Sequence, residues 1–183
     1  MNNDSHVDVA VTAPDAMHGA STVYILFLNE KGIVSNFTSL TSGENGAPVT
    51  DFFTDWGSAI YKYKDIDSDG IVDLIITAKK ESTLGTSHDN SGKIFVCFMR
   101  LNGTIKAYEE ISEYSSQGTT GIIIPTVSGD ECGSSVISIG DLNKDNYRQQ
   151  APLELSPKSG RTEGYDELVI GLVDVIIVDV FNR

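Results

Sequence analysis

Residues 55–70, DWGSAIYKYKDIDSDG, align without a gap to residues 131–146, ECGSSVISIGDLNKDN, at an offset of 76. A second pair, VYILFLNEKGIV (23–34) and IFVCFMRLNGTI (94–105), aligns at an offset of 71, with Gly32 under Gly103. HVDVAVTAP (6–14) is similar to IVDLIITAK (71–79). Self-similarity at such a spacing marks a chain built from stacked supersecondary units. Each unit here reads as a Gly-Ser strand, an acidic loop, a strand opening on Asp, a spacer, an apolar strand, a glycine turn and a last strand. Four strands in sequence per unit is the pattern of a propeller blade.

The apolar runs agree. VDVAVTA, TVYILFL, SAIYKYK, VDLIITA, KIFVCFM, SVISIG, ELVIGLV and VDVIIVDVF are short and rich in β-branched and aromatic residues, which suit a pleated, packed surface. Turn residues bound them, and at RLNGTI the pair Asn102-Gly103 offers the positive φ of a tight hairpin. No window of helical length carries a 3.6-residue apolar stripe. The chain is therefore predicted to be all-β, a partial β-propeller of about three blades of four-stranded antiparallel sheet. The units fall at 1–50, 51–125 and 126–183, the first and last incomplete or irregular, with an insertion at 147–164. The first unit begins inside its acidic loop, so the chain is expected to be a fragment of a longer array, with outer blade faces exposed and prone to associate.

The acidic loop is DIDSDGIVD, residues 65–73. Carboxylates at positions one, three, five and nine converge on a hard cation if the backbone curls around it, with Gly70 taking the sharp turn and the Ile71 carbonyl free to add an oxygen. Oxygen ligands without His or Cys favour Ca²⁺ over zinc or copper. An EF-hand needs an acid at position twelve and a helix on each side; position twelve is Ile76 and both flanks read as strands. The alternative is a solvated, Asp-rich hairpin.

These residues carry a resemblance. WGSAIYKYKDIDSDGIVDLIITA and CGSSVISIGDLNKDN are similar to FG-GAP repeats, the blades of the integrin α-subunit N-terminal β-propeller. Trp56-Gly57 and Cys132-Gly133 stand where the family has Phe-Gly, and Thr12-Ala13-Pro14 stands near its Gly-Ala-Pro. The resemblance implies a closed ring of roughly seven blades, Ca²⁺ loops on one face and ligand binding on the other. Carried over by position, the complete site is Asp65, Asp67, Asp69, the Ile71 carbonyl and Asp73. Weaker sites hold Asn2, Asp4, the His6 carbonyl and Asp8, and then Asp141, Asn143, Asp145 and, past the insertion, Glu167. In the third loop Asn146 replaces the glycine. The implied role is a calcium-binding module for extracellular or cell-surface adhesion, with a protein ligand or other blades of a longer chain as partner. The alternatives are an accessory propeller of a secreted enzyme, similar to glycosylphosphatidylinositol-specific phospholipase D, and a carbohydrate-binding propeller.

Composition narrows the partners. A net charge of −13 and a pI near 4.4 argue against nucleic acid, which needs a basic footprint. No run approaches the length of a membrane span, and no signal peptide opens this chain. P-loop, G-x-S-x-G and HExxH motifs are absent, and His6, His18 and His88 have no evident catalytic partner, so no enzyme activity is expected. Cys97 in KIFVCFM reads as a small buried hydrophobe; Cys97 and Cys132 leave a disulfide open. Asn3, Asn36 and Asn102 lie in glycosylation sequons.

Overall fold

The structure, a computed structural model, describes residues 1–17, 20–82, 90–112, 128–138 and 175–176. Among these residues nine strands follow in chain order: β1 (Asp8–Met17), β2 (Ala20–Leu28), β3 (Val34–Thr41), β4 (Trp56–Lys62), β5 (Leu74–Ala78), β6 (Lys93–Met99), β7 (Ile105–Ile111), β8 (Ile137–Ser138) and β9 (Val175–Ile176). No helix occurs among the described residues. Strands β1–β2–β3 form one antiparallel sheet, the A sheet, and β4–β5–β6–β7 a second, the B sheet; β8 pairs with β9. Both main sheets are simple meanders, as short strands joined by local turns dictate.

Their pairings coincide. In the A sheet Val9 pairs with Leu26 and Thr12 with Val23; in the B sheet Leu74 pairs with Cys97 and Thr77 with Ile94. Val23 then pairs with Leu40 and Ile94 with Ile111. Each B-sheet position lies 65 residues after its A-sheet counterpart on the first strand and 71 after it on the other two. A bulge follows at matching places, Phe27/Leu28 and Phe98/Met99. The glycine turns match also. Gly32 and Gly103 donate to the Asn29 and Arg100 carbonyls at 2.8 Å each. Gly103 alone supplies the positive φ at its turn, while the Asn102 carboxamide accepts from the Thr104 amide at 3.2 Å.

The sheets stack face to face. Val23, Ile25, Phe27 and Leu40 of the A sheet share one core with Leu74, Ile76, Phe95, Cys97, Met99 and Ile105 of the B sheet. Trp56 closes that core: its Nε1 donates to the Leu40 carbonyl at 3.0 Å, and its ring meets Phe95 edge-on at 5.4 Å. Gly57, beside it, has φ +82°, and a Cβ there would lie 2.7 Å from Val23 and 2.8 Å from Thr12. Only glycine satisfies both the backbone and that approach. Ser58 fills the resulting break in the β4–β5 ladder: its hydroxyl lies 3.0 Å from that of Thr77 and accepts from the Lys79 amide at 3.1 Å. The Gly-Ser pair is thus the joint between one sheet and the next.

The other face of the B sheet carries a second core, Tyr63, Ile75, Ile94, Val96, Phe98 and Ile111, with Cys132 from the following segment. Thr77 donates to the Gly133 carbonyl at 2.7 Å, so the Gly133 joint repeats that of Gly57. Both cysteines are buried, and neither is in a disulfide. Among the described residues the sheets are stacked and open, with no ring closed. The third loop (Asp141, Asn143, Asp145, Glu167), the insertion 147–164, His18 and His88 lie outside the described residues. Cys97, as expected, sits in the core.

Candidate metal centre

The loop 65–73 joins β4 to β5, at the end of the sheets that also carries the 29–33 and 100–104 turns. The strand ends set its frame. Asp73 is fully buried and held by two amides, Met99 N–H to Oδ1 at 2.9 Å and Ile66 N–H to Oδ2 at 2.7 Å. Asp65 accepts from the Asp69 amide at 3.0 Å and the Gly70 amide at 2.8 Å, and Asp69 from the Ile71 amide at 2.9 Å. The loop thereby folds around its own carboxylates, with Gly70 at φ +85°.

Carboxylate oxygens of Asp65, Asp67 and Asp73 lie within 4.8 Å of one another, the only three-acid convergence among the described residues. Oδ1 of Asp67 is buried and has no hydrogen-bond partner. A buried carboxylate oxygen without a donor is costly, and a bound cation would satisfy it, so the residues present fit an oxygen-ligated ion. Asp69 stands outside this convergence. Its Oδ2 holds the Lys106 ammonium at 2.6 Å, and Asp67 also pairs with Lys106. Ile71 packs its side chain against the core.

The electrostatics follow the geometry. Burial pushes the Asp73 carboxyl up to about 6, opposed by its two amide bonds and reinforced by the charges of Asp67 and Asp69. Partial burial also pushes Asp69 upward, but the Lys106 hydrogen bond and the Ile71 amide prevail and leave it below the usual carboxylate range. Hydrogen bonds to Asp67 and then Asp69 raise the Lys106 ammonium. Lys106 lies on β7, 33 residues beyond the loop, and nothing in the loop's own spacing marks it; only the β6–β7 hairpin brings it there.

The first loop shows the same scaffold with fewer acids. His6 N–H donates to Asp4 Oδ1 at 2.8 Å, the counterpart of the Ile71–Asp69 bond. That amide first, and the Asn2 and His6 side chains after it, hold Asp4 below its usual range. Asn2 Nδ2 donates to Asp4 Oδ2 at 2.7 Å. Asp8 Oδ2 accepts from the Asn2 amide at 3.2 Å and from the Met1 amino group, and Asp8 Oδ1, like Asp67 Oδ1, is buried without a partner. No family model matches the chain, and no curated protein matches it.

Proposed function

We propose that the chain is a calcium-binding module of the integrin-α-like, FG-GAP propeller type, used for adhesion or protein recognition outside the cell. The observation that carries the metal is the convergence of Asp65, Asp67 and Asp73, with a buried Asp67 oxygen that no protein donor satisfies. Asp69 and the Ile71 carbonyl complete the set by position. A larger, flexible all-oxygen coordination suits Ca²⁺ better than Mg²⁺. In this reading the ion serves structure: it ties β4, β5 and, through Asp73 and Met99, β6 into one unit.

The propeller reading is supported by the coincident registers and by one asymmetry. Val9 and Val11 on the outer face of the A sheet are 36% and 41% exposed, whereas their counterparts Leu74 and Ile76 are 4% and 0% exposed, covered by the A sheet itself. The outer face of the A sheet is shaped to receive another sheet, as blade follows blade.

Calorimetry on the folded chain tests the metal. Ca²⁺ binds more tightly than Mg²⁺, Asp67→Ala weakens the binding at least tenfold, and saturating Ca²⁺ raises the melting temperature by mass action. Equal Ca²⁺ binding by the Asp67→Ala variant overturns the assignment.

A further inference from the structure

The end of the sheets opposite the acidic loop carries the segment TDFFTD, residues 50–55. Its backbone is repeated where the chain leaves the B sheet for the third unit. Asp55 and Glu131 have φ +55° and +50°, Gly57 and Gly133 have +82° and +91°, and the Ser58 and Ser134 amides donate to the Asp55 and Glu131 carbonyls at 2.8 and 3.2 Å. Two residues before Asp55 and Glu131 both turns are left-handed again, at Phe53 (φ +62°) and at Gly129 (φ +87°). Glycine takes that conformation without steric cost, and a bulky aromatic does not. The strain secures no packing, because Phe53 is 58% exposed and Phe52 beside it 69% exposed. Neither the turn nor the core asks for an aromatic where the next unit has glycine. Strain of this kind gathers where a ligand is held.

The two rings line an open cleft of about 290 Å³ together with Asp51, Thr54, Lys80, Ser82 and Asn90. That is near the small end of ligand clefts, which run from roughly 300 to 1,000 Å³, and suits a single ring rather than a length of peptide. One acid and one base line it, and Lys80 is already paired with Asp55 at 3.0 Å, so the lining offers no uncommitted cation to an anion. It offers two exposed aromatic rings, a carboxylate and a carboxamide, while the Thr54 hydroxyl is turned to the Asp51 carbonyl at 3.2 Å. That combination matches a pyranose, whose C–H face stacks on an aromatic ring while its hydroxyls pair with carboxylate and amide groups.

We propose that Asp51, Phe52, Phe53, Thr54, Lys80 and Asn90 form a binding site for one ring of a neutral carbohydrate. The site deepens the adhesion role proposed above by naming a ligand class for it, and it rests on that role but not on the metal. Saturation-transfer NMR on the full chain tests it with maltotriose, cellotriose, mannotriose and chitotriose as probes. At least one gives transfer, and Phe53→Gly weakens its binding at least tenfold while the melting temperature holds or rises, since glycine removes the backbone strain. Phe52→Ala removes a ring the core does not use and also weakens binding severalfold. Transfer from none of the four sugars, or unchanged binding by either variant, overturns the proposal. Calcium uptake by Phe53→Gly stays at the parent level, so loss of the sugar site and loss of the metal reading are read separately.

Discussion

The A and B sheets pair their strands in the same register and share a bulge at the same step, yet they bury different amounts of themselves. β5 is buried along its whole length, while its counterpart β1 leaves Val9 and Val11 half in solvent. Register is local: it follows from the glycine turns and from alternation along each strand. Burial is not local, because it depends on what is stacked on each face. The B sheet has a sheet on one side and the Cys132–Val136 segment on the other. Among the described residues the A sheet has a packed partner on one side only.

The largest expected effect sets matched positions against each other. Ile76→Ala removes a side chain with no solvent exposure and costs about 2–5 kcal/mol. Val11→Ala at the equivalent position costs under about 1 kcal/mol, as a partly exposed site should. Urea denaturation of both variants gives the difference directly. Comparable losses would show that the outer face of the A sheet is covered in solution, and a loss at Val11 that grows with protein concentration would identify the cover as a second copy of the chain.

A smaller effect concerns a carboxylate buried at the far end of the B sheet. Burial pushes Glu81 up to about 7, opposed by Lys93 and reinforced by the Asp51 charge. Its Oε2 accepts from the Asp51 amide at 3.3 Å, and Lys93 lies 4.0 Å from Oε1. A folded-state value above the ordinary one means that the native protein holds the proton longer than the unfolded chain. Its contribution to stability is therefore full below about pH 4.5 and is lost as the pH rises through about 7, on the order of 3 kcal/mol in all. Glu81→Gln flattens that part of the profile, so the variant gains on the parent at pH 8 and not at pH 4. Chemical denaturation at the two pH values checks it.

The smallest effect sharpens the comparison of the two acidic loops. Lys106 holds Asp67 and Asp69 in the second loop, while its counterpart on β3 is Ser35, with no charge to offer. Lys106→Met removes a cation that competes for the Asp67 carboxylate. Ca²⁺ affinity rises about tenfold, roughly 1.4 kcal/mol by the ordinary conversion, and the calcium-free protein melts lower as Asp67 and Asp69 are left to repel. Calorimetry and thermal unfolding with and without calcium measure both.

The sequence was most legible where one residue type answers a local need. Of the acids the spacing marks, Asp65, Asp67 and Asp73 bring carboxylate oxygens within 4.8 Å of one another, and the Gly57-Ser58 pair recurs because each joint demands a left-handed turn against a neighbouring threonine. The apolar strands β1, β2, β5 and β6 stand out as runs. β3 and β7 are far less visible: SNFT and KAYEE are polar, since both lie at the edge of a sheet and bury few of their side chains. The place of Asp69 was not legible at all, since a lysine 37 residues away decides it.

By itself, then, the sequence determined strand order, pairing register and the acidic loop, because each depends on residues within a hairpin's reach. The tertiary structure alone decided which face of each strand is dry, which carboxylate faces Lys106 and which turn carries exposed rings. Those outcomes depend on contacts between segments far apart in the chain. Trp56 reaching the Leu40 carbonyl and Thr77 reaching Gly133 are set by how sheets stack, and stacking is a property of surfaces that no local run of residues contains.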